Sequence, residues 1–177
     1  MKKQFLAVSA LALAVMSGSA LAAPQDVQFV GTVTEVTCDI KPEVNGTTGN
    51  YVQLGNVAKG VTGGAMEFAL KADAGTGNGS CGATSAGKTA TVSWIGGFNS
   101  EGLTAKTGTA TDAVALISTV NASGQNPVVA MTSTTNEAEF NAANLSNGTG
   151  LQYKAQLKGG QQAGDYISSA AFLVQYN

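Results

Sequence analysis

Eight consecutive residues, Gly82 to Thr89, spell G-x-x-x-x-G-K-T, the pattern of a loop that cradles phosphates. Such a loop works only with a strand before it and a helix opening at its end, so that backbone N–H groups and the helix dipole face the anion. Here Cys81 precedes it, and Thr89 to Ile95 alternates like a strand. The segment therefore reads as a hairpin loop. Nucleophilic catalysis lacks its base, because the chain has no histidine from which to build a Ser-His-Asp or Cys-His arrangement. Zinc ligands are equally scarce. Glu137 and Glu139, two apart, would share one face of a strand; such a pair can serve acid–base chemistry or calcium, but it is also ordinary on a solvated face. No catalytic residue, cofactor or metal site is expected, and the chain reads as a non-enzyme.

The remaining polar motifs carry little. Five Asn-x-Ser/Thr triplets begin at Asn45, Asn78, Asn121, Asn144 and Asn147, as chance allows in turns rich in these residues. Trp94 could stack on a sugar if exposed, but its phase with Val92 assigns it to a core. All basic residues are lysine, nine against eleven acidic ones. Without arginine or clustered lysine, a nucleic-acid partner is excluded.

Residues 1–22 have the layout of a secretory leader. Lys2 and Lys3 come first, an apolar stretch runs from Phe5 to Val15, and Ala20-Leu21-Ala22 offers a small-x-small cleavage site. The apolar stretch is too short to anchor in a bilayer. The expected mature chain starts at Ala23 and is long enough for one domain with a real core. Cys38 and Cys81 are its two cysteines, and an even count in an exported chain argues for one disulfide, the alternative being two buried free thiols.

The elements that must position these residues are strands. Apolar residues recur with period two and rarely with helical spacing, and 23 glycines punctuate the runs. Strands are expected at Val27–Cys38, Tyr51–Leu54, around Met66, Phe68 and Leu70, at Thr89–Ile95, Ala113–Val120, Pro127–Met131 and Leu151–Leu157, and from Asp165 to Tyr176. In the last run Tyr166, Ser168, Ala170, Phe172, Val174 and Tyr176 share a face. Seven or so strands without a dividing linker imply an all-β, immunoglobulin-like sandwich.

Taken together these segments resemble the subunits of chaperone–usher fimbriae, closest to small major subunits of the enterotoxigenic type. The resemblance covers the whole mature chain. Phe29-Val30-Gly31-Thr32-Val33 ahead of Cys38 is similar to the family's Phe-x-Gly-x-Val, and Gln53-Leu54-Gly55 to its short Q-L-G strand. Phe68-Ala69-Leu70 leads to Cys81 as the family's approach to its second cysteine does, with a longer Gly-rich insert. At the end, Gly164 is fourteenth from the terminus and Tyr176 penultimate, as in the family.

The resemblance implies a sandwich lacking its last strand, completed by a donor strand from a neighbouring subunit. On this reading residues 1–22 are the leader, 23–33 the donor extension and 34–177 the sandwich domain. The donor side chains would be Val27, Phe29 and Val33, with Gly31 where the groove leaves no room. The segment before Phe29 is short for a donor. The groove edge, also met by a periplasmic chaperone, would carry Gly164, Tyr166, Phe172, Val174 and Tyr176, with the carboxylate of Asn177 held by basic chaperone groups. Further implied partners are identical or related subunits and an outer-membrane usher, and the implied location is a fimbrium at the cell surface. The expected function is a structural shaft subunit supporting adhesion. The alternative is a subunit that itself binds host glycans, which an exposed aromatic cluster with convergent polar groups would mark. The bland reading of the two end strands is that they pair with each other in one closed sandwich.

Overall fold

A computed structural model describes residues 39–72 and 87–177, and the expectations placed on Val27 to Cys38 and on Cys81 lie outside them. Ten strands and one short helix follow in order: β1 (Ile40–Val44), β2 (Thr47–Thr48), β3 (Met66–Ala72), β4 (Thr89–Gly96), β5 (Leu103–Thr104), β6 (Val114–Thr119), β7 (Ala130–Met131), β8 (Glu137–Asn141), α1 (Ala143–Ser146), β9 (Leu151–Lys158) and β10 (Ala170–Tyr176). They form two antiparallel sheets. The larger runs β2-β1-β3-β9-β6-β5, with β7 also pairing β6; the smaller runs β10-β4-β8.

Side-chain alternation decides what the sheets bury. Along β9 every second residue, Leu151, Tyr153, Ala155 and Leu157, is buried, and β4 and β8 repeat the rule with Ala90, Val92, Trp94, Ala138 and Phe140. Register stacks these positions into rows. Phe68 lies opposite Tyr153 and Tyr153 opposite Thr119, while Phe172 lies opposite Trp94. The two inner faces meet through aromatic rings: Phe68 stacks on Tyr153 at 5.4 Å, and Trp94 meets both edge-on at 6.2 and 5.5 Å. Such ring pairs add about 0.5–1.5 kcal/mol each beyond their buried area. Trp94, only 6% exposed, is thus a core residue as its phase implied.

The first hairpin is set by its turn. Asn45 and Gly46 both have positive φ (51° and 78°), the signature of the two-residue turn whose twist matches antiparallel strands, and Val44 pairs Thr47 across it. Thr119, buried within β6, is satisfied: its hydroxyl donates to the Pro127 carbonyl at 2.7 Å and accepts the Val129 N–H at 2.8 Å.

Three sequence expectations need correction. Tyr51–Leu54 alternates in burial but forms no ladder. Pro127–Met131 shortens to Ala130–Met131, because Asn126 and Thr119 take the N–H groups of Val128 and Val129. The last strand begins at Ala170, not Asp165, because Ile167 turns away to pair with Thr107. The phosphate-loop pattern ends in β4, so no helix opens at Thr89.

Candidate assembly interface

Among the described residues β10 is an edge strand of the smaller sheet, hydrogen-bonded to β4 on one side. Asn177 and Thr89 exchange both backbone bonds (2.9 and 3.0 Å), while the Trp94 N–H turns to Asn136 on the far side of β4. Antiparallel alternation then directs the backbone groups of Ala171, Leu173 and Gln175 to β4 and those of Ala170, Phe172, Val174 and Tyr176 to the open edge. These same four side chains point inward and pack on the core cluster. Unlike the inward rows of β4, β8 and β9, they are only half-buried. Among the described residues, an edge with no second partner strand and a half-buried apolar row therefore coincide on β10.

Among the described residues, the margin of the other sheet also carries half-buried apolar side chains. Ile40 and Val44 on β1 and Ala72 at the end of β3 are half-buried against the same cluster. β2 pairs β1 only at Glu43 and Val44. Pro42, with no N–H to offer a ladder, is tolerated beside such an edge. Between β2 and β3, residues 51–57 belong to no strand, with Val52, Leu54 and Val57 packed on core clusters. Among the described residues no backbone–backbone hydrogen bond involves residues 51–57. Sequence reasoning found the alternation of this segment but not its missing ladder, since period two records which side faces a core and not what lies beside the backbone.

Gly164 and Tyr166, expected on the groove-edge strand, instead precede β10. Gly164 has φ of +149° and lies so close to Thr109 that a Cβ would overlap the hydroxyl, so the chain must turn there before Ile167 reaches Thr107. Tyr166 is half-buried and donates its hydroxyl to the Leu103 carbonyl at 2.8 Å, and Ser168 donates to Thr104 O at 2.6 Å. The two side chains dock this approach onto β5. Phe172, Val174 and Tyr176 are brought together on one face, and Trp94 touches Phe172 at 5.6 Å.

Burial raises the phenol pKa of Tyr153 far above its usual value, only partly opposed by the nearby Trp94 indole, and burial also raises those of Tyr166 and Tyr176. Among the described residues the Trp94 Nε1, Tyr153 and Tyr176 hydroxyls are buried polar atoms without a hydrogen-bond partner. None of these groups is set up for proton transfer at neutral pH. Glu137 and Glu139 both lie exposed on β8, with Glu137 accepting from Ser93 Oγ at 2.7 Å, and no three metal-binding side chains cluster among the described residues.

What the described residues present is an antiparallel sandwich with a half-buried apolar row along one of its strands. Over 174 residues, 98% of this chain and 99% of the relative, it is 37% identical to the F107 fimbrial protein of Escherichia coli. Over 189 aligned positions, 99% of each, it is 32% identical to the K99 fimbrial protein of the same organism. No protein-family model matches the chain. The chain belongs to this family of fimbrial proteins, subunits of a surface appendage.

Proposed function

We propose that the protein is a shaft subunit that polymerises by strand donation. Residues 23–33 of one copy enter the open flank of the next, alongside β10, with Val27, Phe29 and Val33 covering the half-buried row Phe172, Val174 and Tyr176. Gly31 passes where an aromatic side chain of the row fills the space. The observation that carries the reading is the coincidence, on β10, of an edge with no second partner among the described residues and a half-buried apolar row. Three large apolar side chains buried at ~1.5–3 kcal/mol each contribute about 5–9 kcal/mol, and ladder bonds to an otherwise exposed edge add to that. Residues 51–57, which make no ladder bond among the described residues, supply a second border. Donor and acceptor surfaces differ, so the contact is head-to-tail and propagates instead of closing.

The same reading gives the early life of the subunit. Residues 1–22 direct export, and Cys38 bridges Cys81, stabilising the fold by about 4 kcal/mol in the loop-entropy description. A periplasmic chaperone covers the β10 edge and holds the Asn177 carboxylate through basic groups until an outer-membrane usher passes the subunit on. The test uses a truncation lacking residues 23–33, coexpressed with its chaperone and melted with and without a peptide of residues 23–34. A large rise in melting temperature with peptide is expected. A truncation stable alone and indifferent to the peptide would mean a closed sandwich.

A further inference from the structure

The outer face of the smaller sheet follows from its inner face by alternation. Because β4 buries Ala90, Val92 and Trp94, and β8 buries Ala138 and Phe140, the side chains of Ser93, Ile95 and Glu137 point to the other side. On β10 the inward row likewise leaves Ala171 and Leu173 outward. Ile95 is 64% exposed on the middle strand and lies opposite the exposed Ala171, with the half-buried Leu173 in the next row. One exposed isoleucine is ordinary, and it is the charges around this one that set it apart.

Opposite charges flank Ile95 symmetrically. Lys106 places its Nζ 3.4 Å from Ser169 Oγ, and Ser169 stands two residues before Ala171, the partner of Ile95. Glu137 lies opposite Ser93, two residues before Ile95 on β4. The sheet order β10-β4-β8 puts Lys106 on one side of β4 and Glu137 on the other. Ile95 is therefore the midpoint of a diagonal from Lys106 to Glu137. Both ends are held in place: the Lys106 N–H donates to the Ile167 carbonyl at 2.8 Å, and Glu137 accepts Ser93 Oγ at 2.7 Å. Neither has a charged partner, since the ion pairs among the described residues join Lys41 to Asp39, Lys71 to Glu43 and Lys158 to Glu101.

A face with a cation at one end, an anion at the other and an apolar centre is complementary to itself. A two-fold axis in the plane of contact, through Ile95 and across the diagonal, sets Ile95 on Ile95 and Lys106 of each copy against Glu137 of the other. A uniformly basic partner would be opposed by Lys106 and a uniformly acidic one by Glu137, whereas a second copy satisfies both. We infer that the outer face of the smaller sheet is a symmetric contact between two copies of this chain. Strand donation as proposed above uses the edge and inner row of β10 and leaves this face free, so the two copies sit in neighbouring fibres lying side by side. That setting rests on the polymerisation reading; the complementarity of the face does not. Each contact is small, but repetition along two fibres adds weak pairs through their high effective concentration.

The test isolates fibres of the full chain and follows side-by-side association by light scattering and electron microscopy. Wild-type fibres are expected to pair, and to pair less in high salt. Lys106→Glu and Glu137→Lys should each reduce pairing several-fold, and an equal mixture of the two should restore it, because each variant then meets the charge it lacks. The sign for Glu137→Lys is diagnostic: in a chain of net charge −2, charge neutralisation alone would make its fibres associate more. Glu139→Lys, two residues farther along β8 from Ile95, is the control and should change little. These side chains are exposed, so melting temperatures should match the parent. Wild-type fibres that stay single, pairing unchanged by Lys106→Glu, no recovery on mixing, or an equal loss with Glu139→Lys would overturn the assignment. If the chain forms no fibres, strand donation fails, and sedimentation of the separate subunits tests the contact with the same variants. A dimer lost in each variant and regained on mixing is then expected, and a monomer at every concentration would overturn it.

Discussion

At the scale of single residues, Asp112 shows how one side chain can hold a loop in place. Its carboxylate accepts the N–H groups of Gln161 (2.6 Å) and Gln162 (3.2 Å), tying together the loops that lead into β6 and towards β10. The Gln161 bond is the main reason its pKa lies below the ordinary value, with Gln162 and the Lys59 charge adding to it against some desolvation. An unfolded chain gives an aspartate of ~3.9, and the folded value is depressed. The stability gained is therefore fully present above that pH and lost as the pH falls through the folded value. Chemical denaturation from pH 7 down to pH 2 should show an acid limb that Asp112→Asn flattens, since the amide has no charge to lose. An unchanged limb would assign it to other carboxylates. Residue types alone pointed to none of this: an Asp after Thr in a Gly-rich tract reads as a turn former, and its partners lie some fifty positions away.

At the scale of elements, β4, β9 and β10 were legible because each alternates, and Met66, Phe68 and Leu70 gave β3. β1 was missed. Its sequence I-K-P-E-V carries a proline that argues against a strand, and only its place beside the sheet edge makes the proline harmless. β8 was legible only in part, through the shared face of Glu137 and Glu139, because its buried residues Ala138 and Phe140 are too few to stand out. The open side of β10 yields an element-level prediction. By hydrogen exchange, the amides of Phe172, Val174 and Tyr176 should exchange faster than those of Leu173 and Gln175 in the truncation without residues 23–33. The peptide of residues 23–34 should slow the fast set selectively. Uniform protection before peptide addition would mean that the edge is already covered.

At the scale of the whole molecule, the proposed head-to-tail assembly would separate the role of donor from that of acceptor. Phe29→Asp should spoil the donor and leave the acceptor flank intact. Such a subunit should still take up the wild-type peptide and, mixed with wild-type subunits, shorten fibres in proportion to its share, as seen by electron microscopy and sedimentation. If Phe29→Asp loses peptide uptake as well, the two roles share one surface and the head-to-tail scheme fails. The curated relatives span nearly the full chain, so their likeness to it is not confined to one motif.

The sequence by itself determined the fold class, the lack of histidine and the fimbrial family. Period-two alternation, histidine count and ordered short motifs are local properties that survive without coordinates. The placement of Trp94 in the core also followed from alternation, because a strand residue in phase with Val92 has only one face to choose. What neighbours what was decided only by the tertiary structure. A run from Asp165 to Tyr176 reads as one strand, yet Gly164 and Ile167 divert its first part to Thr107, and only Ala170–Tyr176 joins β4. Whether an alternating face ends up covered depends on the strand beside it, and pairing over long separations leaves no trace in the spacing of either partner. The half-buried row on β10 and the unpaired backbone of residues 51–57 are therefore facts of tertiary packing, because burial is a property of neighbours rather than of residues.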